Sequence, residues 1–212
     1  MTKQPIHLEN RDEQGLRLFS PTAGRNSEPI SKILSHILPV SASVLEIGSG
    51  TGEHAVSVCK ARSDIRWQTS DPDERSRQSQ DDWRTECPDQ IAQSMAIDVT
   101  RDNWWIDLPK FDAMFSANMI HIAPWSAAQG FVAGAAQILS ETGLAVLYGP
   151  FFEGETTAES NLRFDANLKA RNPEWGVRSL DSVKHIFADV GFNLLARYEM
   201  PAENRILVFS RE

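Results

Sequence analysis

Cysteine is scarce: Cys59 and Cys87 are the only two in 212 residues, and their spacing is not that of metal ligands. A reducing compartment follows as the expectation, with the cytoplasm as the default location and no metal centre. Long apolar runs are missing as well. None approaches the eighteen residues a bilayer span requires, and the first twenty residues mix charges with single apolar side chains, so neither a signal peptide nor a membrane anchor is expected. No block of lysine and arginine stands out, and the net charge is -8. Nucleic-acid binding depends on neutralising phosphates, so DNA or RNA is not expected as the main partner. Repeats and low-complexity tracts are absent too. What is present is 41% apolar and 24% charged residues, the balance of a globular chain long enough for one domain with a substantial core, spanning 1–212.

Residues 1–25 are polar and turn-rich. Asn26 or Ser27 can then cap a helix with Pro29 in its first turn, and Ile30, Ile33, Leu34, Ile37 and Leu38 repeat at helical spacing until Pro39. After Pro39, strand and helix patterns alternate: strands are expected over 42–47, 65–70, within 91–99, over 111–118 and 143–149, with helices over 54–61, 73–86 and 125–139 between them. Such alternation implies a doubly wound α/β fold with a parallel sheet. The last third differs. Residues 151–178 open as a polar loop, form a helix from about Glu159 to Ala170 and end in an Asn-Pro turn; a helix from Asp181 to Val190 follows. Segments 192–200 and 204–210 are strands too close together for a crossover, so they must form an antiparallel hairpin.

The stretch VLEIGSGTGEHAV, 44–56, places a glycine loop after the first strand. In an open parallel sheet the ligand sits at the carboxyl ends of strands, and glycines let the backbone approach it at a helix N-terminus. A P-loop would need lysine and a hydroxyl after Gly52, where Glu53 and His54 stand, and a dinucleotide loop would need glycine in place of Glu53. Glu46, two residues before Gly48, would repel a pyrophosphate but suits a cationic ligand. S-adenosylmethionine, with a sulfonium, an ammonium and no phosphate, fits that requirement. Asp71 ends the second strand 23 residues after Gly48, near the separation at which an acid accepts from ribose hydroxyls, the role favoured here; followed by Pro72, it can also start a helix, and one residue can do both. Asn118 lies at the tip of the fourth strand, with His121 and Trp125 just beyond. An imidazole there can remove a substrate proton or orient a nucleophile, although transfer of an activated methyl often needs no strong base.

The E-x-G-x-G-x-G pattern of Glu46, Gly48, Gly50 and Gly52 resembles the cofactor loop of Rossmann-like class I S-adenosylmethionine-dependent methyltransferases, and the C-terminal hairpin is similar to that of their seven-stranded, mostly parallel sheet. NMIHIAPW, YGPF, SNLRFDANLKARNPEWGVR and MPAENRILVF add a closer resemblance from about Arg25 to Phe209. It is to a bacterial and eukaryotic family of methyltransferase-like proteins, formerly labelled only as of unknown function, whose human member is in the methyltransferase-like series. The resemblance implies the methyltransferase fold and S-adenosyl-L-methionine as cofactor, without a substrate. It implies that Asp98 accepts from the adenine amino group. RNSEPI, 25–30, matches an element of the family in which Arg25 can pair with the methionine carboxylate and Asn26 can cap its helix or bind the same group.

The expected cofactor set is thus Arg25, Asn26, Glu46, Gly48, Ser49, Gly50, His54, Asp71, Pro72, Asp98, Val99 and Asn118, with His121 and Tyr148 at the chemistry. Loops after the fourth and fifth strands would supply a small-molecule pocket from Trp125, Phe151, Phe152, Asn161, Asn172, Trp175 and Arg178, the arginine suiting an acid group on the acceptor. Residues 1–38 would cover the cofactor site and 151–178 would form a lid. The expected activity is methyl transfer to oxygen, nitrogen, sulfur or selenium of a small molecule. The alternative is a non-catalytic cofactor-binding sensor or partner subunit, and a nicotinamide dehydrogenase is disfavoured by Glu46 and the missing third glycine. The oligomeric state is left open.

Overall fold

The computed structural model describes residues 11–154 and 157–211. The first ten residues of the segment expected to cover the cofactor, and 155 and 156 of the expected lid, lie outside the described residues. The chain divides into two compact units, Met1–Asp98 and Val99–Glu212.

The first unit opens with a hairpin of β1 (Asp12–Gln14) and β2 (Arg17–Phe19), in a stretch whose polar composition gives no strand signal. Helix α1 (Pro21–Ile37) begins earlier than its expected cap at Asn26 or Ser27. The cap is Ser20, whose Oγ accepts from Ala23 N at 3.0 Å, with Pro21 as the first helical residue. Asn26 is therefore no cap, and Pro29 sits inside the helix, where a proline ordinarily costs stability. Tertiary packing offsets that cost. Ile30 and Leu34 are fully buried, and serines knit α1 to α2 (Glu53–Ala61), with Ser31 Oγ donating to Ser57 O at 3.1 Å and Ser57 Oγ to Ser27 O at 3.3 Å.

Strands β3 (Ser43–Ile47) and β4 (Arg66–Ser70) pair in parallel and in register, Glu46 opposite Thr69 and Ile47 opposite Ser70, so both end on the same side. Helix α3 (Glu74–Trp83) follows, capped by Asp73, whose carboxylate accepts from Ser76 N at 2.8 Å. Asp71 is thus not the helix cap its Asp-Pro sequence allowed. The expected third strand within 91–99 is not a continuous ladder: it touches β4 only at the bridges Trp67 to Ile91 and Ser70 to Met95. Between those points one extra residue is accommodated. Side chains hold it instead, Gln68 Nε2 donating to Gln93 O at 2.7 Å and Ser94 N donating to Asp81 Oδ1 at 2.8 Å.

In the second unit, β5 (Phe111–Ala117) lies parallel to β6 (Leu139–Phe152), and helix α4 (Trp125–Ile138) connects them. β6 runs to Phe152, so Phe151 and Phe152 belong to a strand and not to the start of the loop expected over 151–178; β7 (Arg178–Ser179) pairs with its end, Phe151 opposite Arg178. Helix α5 (Glu159–Arg171) lies between them in sequence, and α6 (Leu180–Ala188) follows. β8 (Phe192–Met200) and β9 (Asn204–Arg211) form the expected antiparallel hairpin, β9 pairing antiparallel with β6 on its other side. Phe187 of α6 stacks on Phe209 of β9 with ring centroids 3.8 Å apart, which seats the helix on the hairpin.

Candidate functional site

In the first unit the glycine loop is held from several directions. Ser49 and Ser70 bond reciprocally: Ser49 N donates to Ser70 O at 2.8 Å, and Ser49 Oγ accepts from Ser70 N at 3.1 Å. Ser70 Oγ also donates to Glu46 O at 2.6 Å, locking the two strand ends together. From α3, Gln80 Nε2 donates to Gly50 O at 3.0 Å and Ser79 Oγ to Thr51 O at 2.8 Å. Gly52 takes φ +97°, and a Cβ there would stand 3.0 Å from Gln80 Cα, so both backbone conformation and the closeness of α3 call for glycine.

Asp71 belongs to the same cluster. One carboxylate oxygen accepts from Gly50 N at 3.0 Å and the other from Asp73 N at 2.9 Å. Burial pushes this carboxyl up to about 6, against the two backbone donors and the positive charge of Arg11. Glu46 is buried beneath the loop, accepting from the Trp67 indole at 3.0 Å; burial pushes it up to about 8, with the Trp67 and Ser49 hydrogen bonds opposing and the Asp71 charge adding. His54 is buried against Ser27, its Nδ1 3.2 Å from Ser27 Oγ, and burial lowers it to about 4, so its ring is neutral. Pro72 is exposed and Asp98 half-buried. Arg25 is exposed on α1, its guanidinium on Thr22 Oγ1 at 3.1 Å, and Asn26 lies one residue further along the helix.

The second unit gathers another cluster. Asn118 takes a left-handed conformation after β5, and its N–H donates to Tyr148 O at 2.8 Å. The turn it begins buries His121 completely, edge-on to Phe151 with ring centroids 5.3 Å apart. Gly149 makes room for that ring, since a Cβ there would stand 2.5 Å from His121 Nε2 and 3.1 Å from Asn118 Oδ1. Neither ring nitrogen of His121 has a hydrogen-bond partner among the described residues. Burial first, and the Arg178 charge second, lower it to about 3. Tyr148, the residue before Gly149, is buried, and burial raises its phenol to about 12.

The remaining expected acceptor residues hold backbone. Arg178 Nε donates to Ile120 O at 2.8 Å and its Nη2 to Ala123 O at 2.6 Å and Glu174 O at 2.9 Å, with Trp125 under the guanidinium at 5.7 Å. Gly176 N donates to His121 O at 2.9 Å, which fastens the expected lid to the histidine turn. Asn161, buried in α5, donates to Glu203 O at 3.2 Å, and Asn172 Oδ1 accepts from Glu174 N at 2.9 Å. Trp175 is half-buried in the turn closed by its own N–H to Asn172 O. Val99 is buried at the start of the unit. Sequence reasoning missed Ser76, Ser79 and Gln80 of α3, although with Trp83 they repeat at helical spacing and form a polar face that could have been noticed.

Among the described residues no group of three His, Cys, Asp or Glu could hold a metal ion, and no helix is long and apolar enough to cross a membrane. The profile of a family described as protein of unknown function (DUF938) matches residues 17–211. The chain belongs to the DUF938 family. Solved structures extend the comparison. This DUF938 chain is similar to an O-methyltransferase family protein from Burkholderia thailandensis, with 13% identity, a TM-score of 0.76 and coverage of 90% of this chain and 57% of that one. It is similar to CalO1, a methyltransferase in calicheamicin biosynthesis solved in its SAH-bound form, with 11% identity, a TM-score of 0.75 and coverage of 90% and 54%. A third is an O-methyltransferase family 2 protein from Planctomyces limnophilus DSM 3776 in complex with apigenin, with 15% identity, a TM-score of 0.74 and coverage of 90% and 60%. The chain thus spans less than two thirds of the length of these proteins. At such identities the likeness is one of fold: mixed α/β, with a mostly parallel seven-stranded sheet and a C-terminal antiparallel hairpin.

Proposed function

We propose that this protein transfers a methyl group from S-adenosylmethionine to a small-molecule acceptor. The observation that carries the reading is the Asp71 carboxylate bound at 3.0 Å to Gly50 N of the loop, with Glu46 buried beneath it. A loop lined by acids disfavours a pyrophosphate and suits a ligand that offers hydroxyls and positive charge. The likeness to methyltransferase structures, one with SAH and one with apigenin, supports it. So does the resemblance to the methyltransferase-like family with a human member, of which this chain is proposed to be a relative.

Bound at the loop, S-adenosylmethionine supplies a methyl already activated on a sulfonium. In the first unit Gly48, Ser49, Gly50 and His54 shape the loop, Glu46 beneath it gives up its proton as a cationic ligand binds, Asp71 beside Pro72 takes the ribose, and Asp98 takes the adenine amino group. Arg25 and Asn26 are assigned to the methionine carboxylate. In the second unit the acceptor side is assigned to His121, Tyr148, Trp125, Phe151 and Trp175. His121 is neutral, so it works as a hydrogen-bonding group or proton acceptor and not as a cation. Arg178, Asn161 and Asn172 hold the backbone that carries these groups, which replaces the idea that Arg178 meets an acid on the acceptor. Residues 1–38 and 151–178 are assigned as covers, the second fastened over His121, and the cytoplasm as the place of action.

The complete burial of His121 favours a second reading, a cofactor-binding module without turnover. Calorimetric titration with S-adenosylmethionine and S-adenosylhomocysteine, with NADH as control, tests the cofactor. Micromolar binding of both adenosyl ligands is expected, and a preference for NADH overturns the reading. Methyl release on screening hydroxyl, thiol and amine acceptors then separates enzyme from binding module.

A further inference from the structure

The hairpin β1–β2 is too short to be stable alone, since each strand has three residues. It is fastened to α3 at several points. Leu18 N donates to Ser79 Oγ at 2.8 Å, the Trp83 indole donates to Leu18 O at 3.0 Å, and Arg75 Nη1 donates to Leu16 O at 2.7 Å. Arg17 lies 4.5 Å over the Trp83 ring, its Nε on Asp82 Oδ1 at 2.6 Å and its Nη1 on Glu86. The same α3 holds the carbonyls of Gly50 and Thr51 through Gln80 and Ser79. Hairpin, helix and glycine loop are therefore one fastened assembly within the first unit.

The residue this assembly delivers to the loop is Arg11, just before β1. Its Nη1 donates to Ser76 Oγ at 3.0 Å, and its Nη2 lies 3.5 Å from the position a Gly50 Cβ would take. Asp71 grips the N–H of that same glycine. An acid and an arginine thus flank Gly50. A carboxylate only accepts hydrogen bonds and a guanidinium only donates them, whereas each hydroxyl of a vicinal diol does both. The Asp71 oxygens each keep a second acceptor position beyond their backbone bonds. A phosphate would meet repulsion from Asp71 and a bare cation repulsion from Arg11; a neutral diol meets a complementary partner on each side.

We propose that Arg11 is a ribose-binding residue which, with Asp71, brackets the vicinal diol of an adenosyl ligand at Gly50. This rests on the cofactor reading above and adds to it a residue outside the glycine loop and its acids. It also gives the hairpin a purpose, since displacing it would remove one half of the diol site.

The test is calorimetric titration of the full chain and its Arg11→Ala, Arg11→Lys and Ser76→Ala variants with S-adenosylhomocysteine and with its 2′,3′-dideoxy analogue. Wild type is expected to prefer the diol ligand. Arg11→Ala should lose about tenfold in affinity for S-adenosylhomocysteine and nothing for the dideoxy analogue, with its melting temperature unchanged. Arg11→Lys should recover part of the loss, and Ser76→Ala, which frees the arginine from its anchor, should shift affinity in the same direction as Arg11→Ala. Unchanged binding by Arg11→Ala, or an equal loss for both ligands, overturns the proposal while leaving the cofactor reading intact. Failure of wild type to bind S-adenosylhomocysteine at all overturns both.

Discussion

Glu46 lies buried at the base of the glycine loop, and its protonation state differs from what its sequence position suggests. The motif reads as a carboxylate waiting for a cation, yet the side chain is buried under the loop and holds its proton up to about 8. Its pH signature is therefore inverted relative to an ordinary surface acid. Unfolded, it releases its proton near 4.5; folded, it keeps the proton to about 8, so between those values the folded state binds more protons and stability falls as pH rises. Glu46→Gln is expected to abolish the fall in melting temperature that wild type shows between about pH 6.5 and 8. Thermal denaturation of both proteins across that range checks it. Parallel curves would mean that the folded-state acid titrates normally. A cationic ligand at the loop would favour release of the same proton, so ligand affinity should rise over the same interval.

At the scale of elements, the N-terminal hairpin is the least self-sufficient part of the first unit and depends on side chains of α3. Arg17 is its main fastening, through Asp82, Glu86, Thr85 and the Trp83 face. Because these groups are partly exposed, the ion pairs are worth little individually, and the stacking adds about 0.5–1 kcal/mol. Arg17→Ala should therefore leave the global melting temperature nearly unchanged while raising amide exchange across 12–19. Exchange mass spectrometry distinguishes that from a tightly docked hairpin, which would keep its protection. Periodicity carries no sign of this hairpin, because β1 is polar and exposed throughout and β2 buries a single residue, Leu18, too short a pattern to mark a face. The same limit explains the start of α1. Ser20-Pro21 and Asn26 with Pro29 are both acceptable helix starts locally, and only tertiary contacts, the burial of Ile30 and Leu34 and the serine bonds to α2, decided that the helix runs through the second proline. The broken third strand is a third case: two backbone groups that periodicity assigned to a ladder are bonded by Gln68 and Asp81.

For the whole molecule, the shifted groups of the two units combine into one pH profile. Burial lowers His54 to about 4 and His121 to about 3, so from those values up to 6.5 the unfolded chain binds more protons and stability rises with pH. Glu86, held below its ordinary value first by Lys60 and then by Arg17, contributes in the same direction at lower pH. Glu46, and Asp71 up to about 6, act oppositely. Above 6.5 only the Glu46 contribution remains among these groups. Stability should thus be greatest between about pH 4.5 and 6.5 and decline on both sides. Chemical denaturation at a series of pH values tests this, and a stability that keeps increasing from pH 6.5 to 8 would contradict it.

Strand and helix order, the C-terminal hairpin and the position of the glycine loop were determined by the sequence itself, because hydrophobic period, caps and close strand spacing act over a few residues and are written in neighbouring letters. It also marked Asp71 and His121, since acids and imidazoles at strand ends are recognisable by type. Tertiary structure alone decided what those groups are bonded to. That Asp71 grips Gly50, that Arg178 fastens the histidine turn where an acceptor contact was expected, and that Arg11 reaches the loop from the N-terminal hairpin all depend on contacts between residues far apart in the chain. Protonation followed the same division. Burial, which no local pattern states, turned Glu46 into a proton holder and left His54 and His121 neutral.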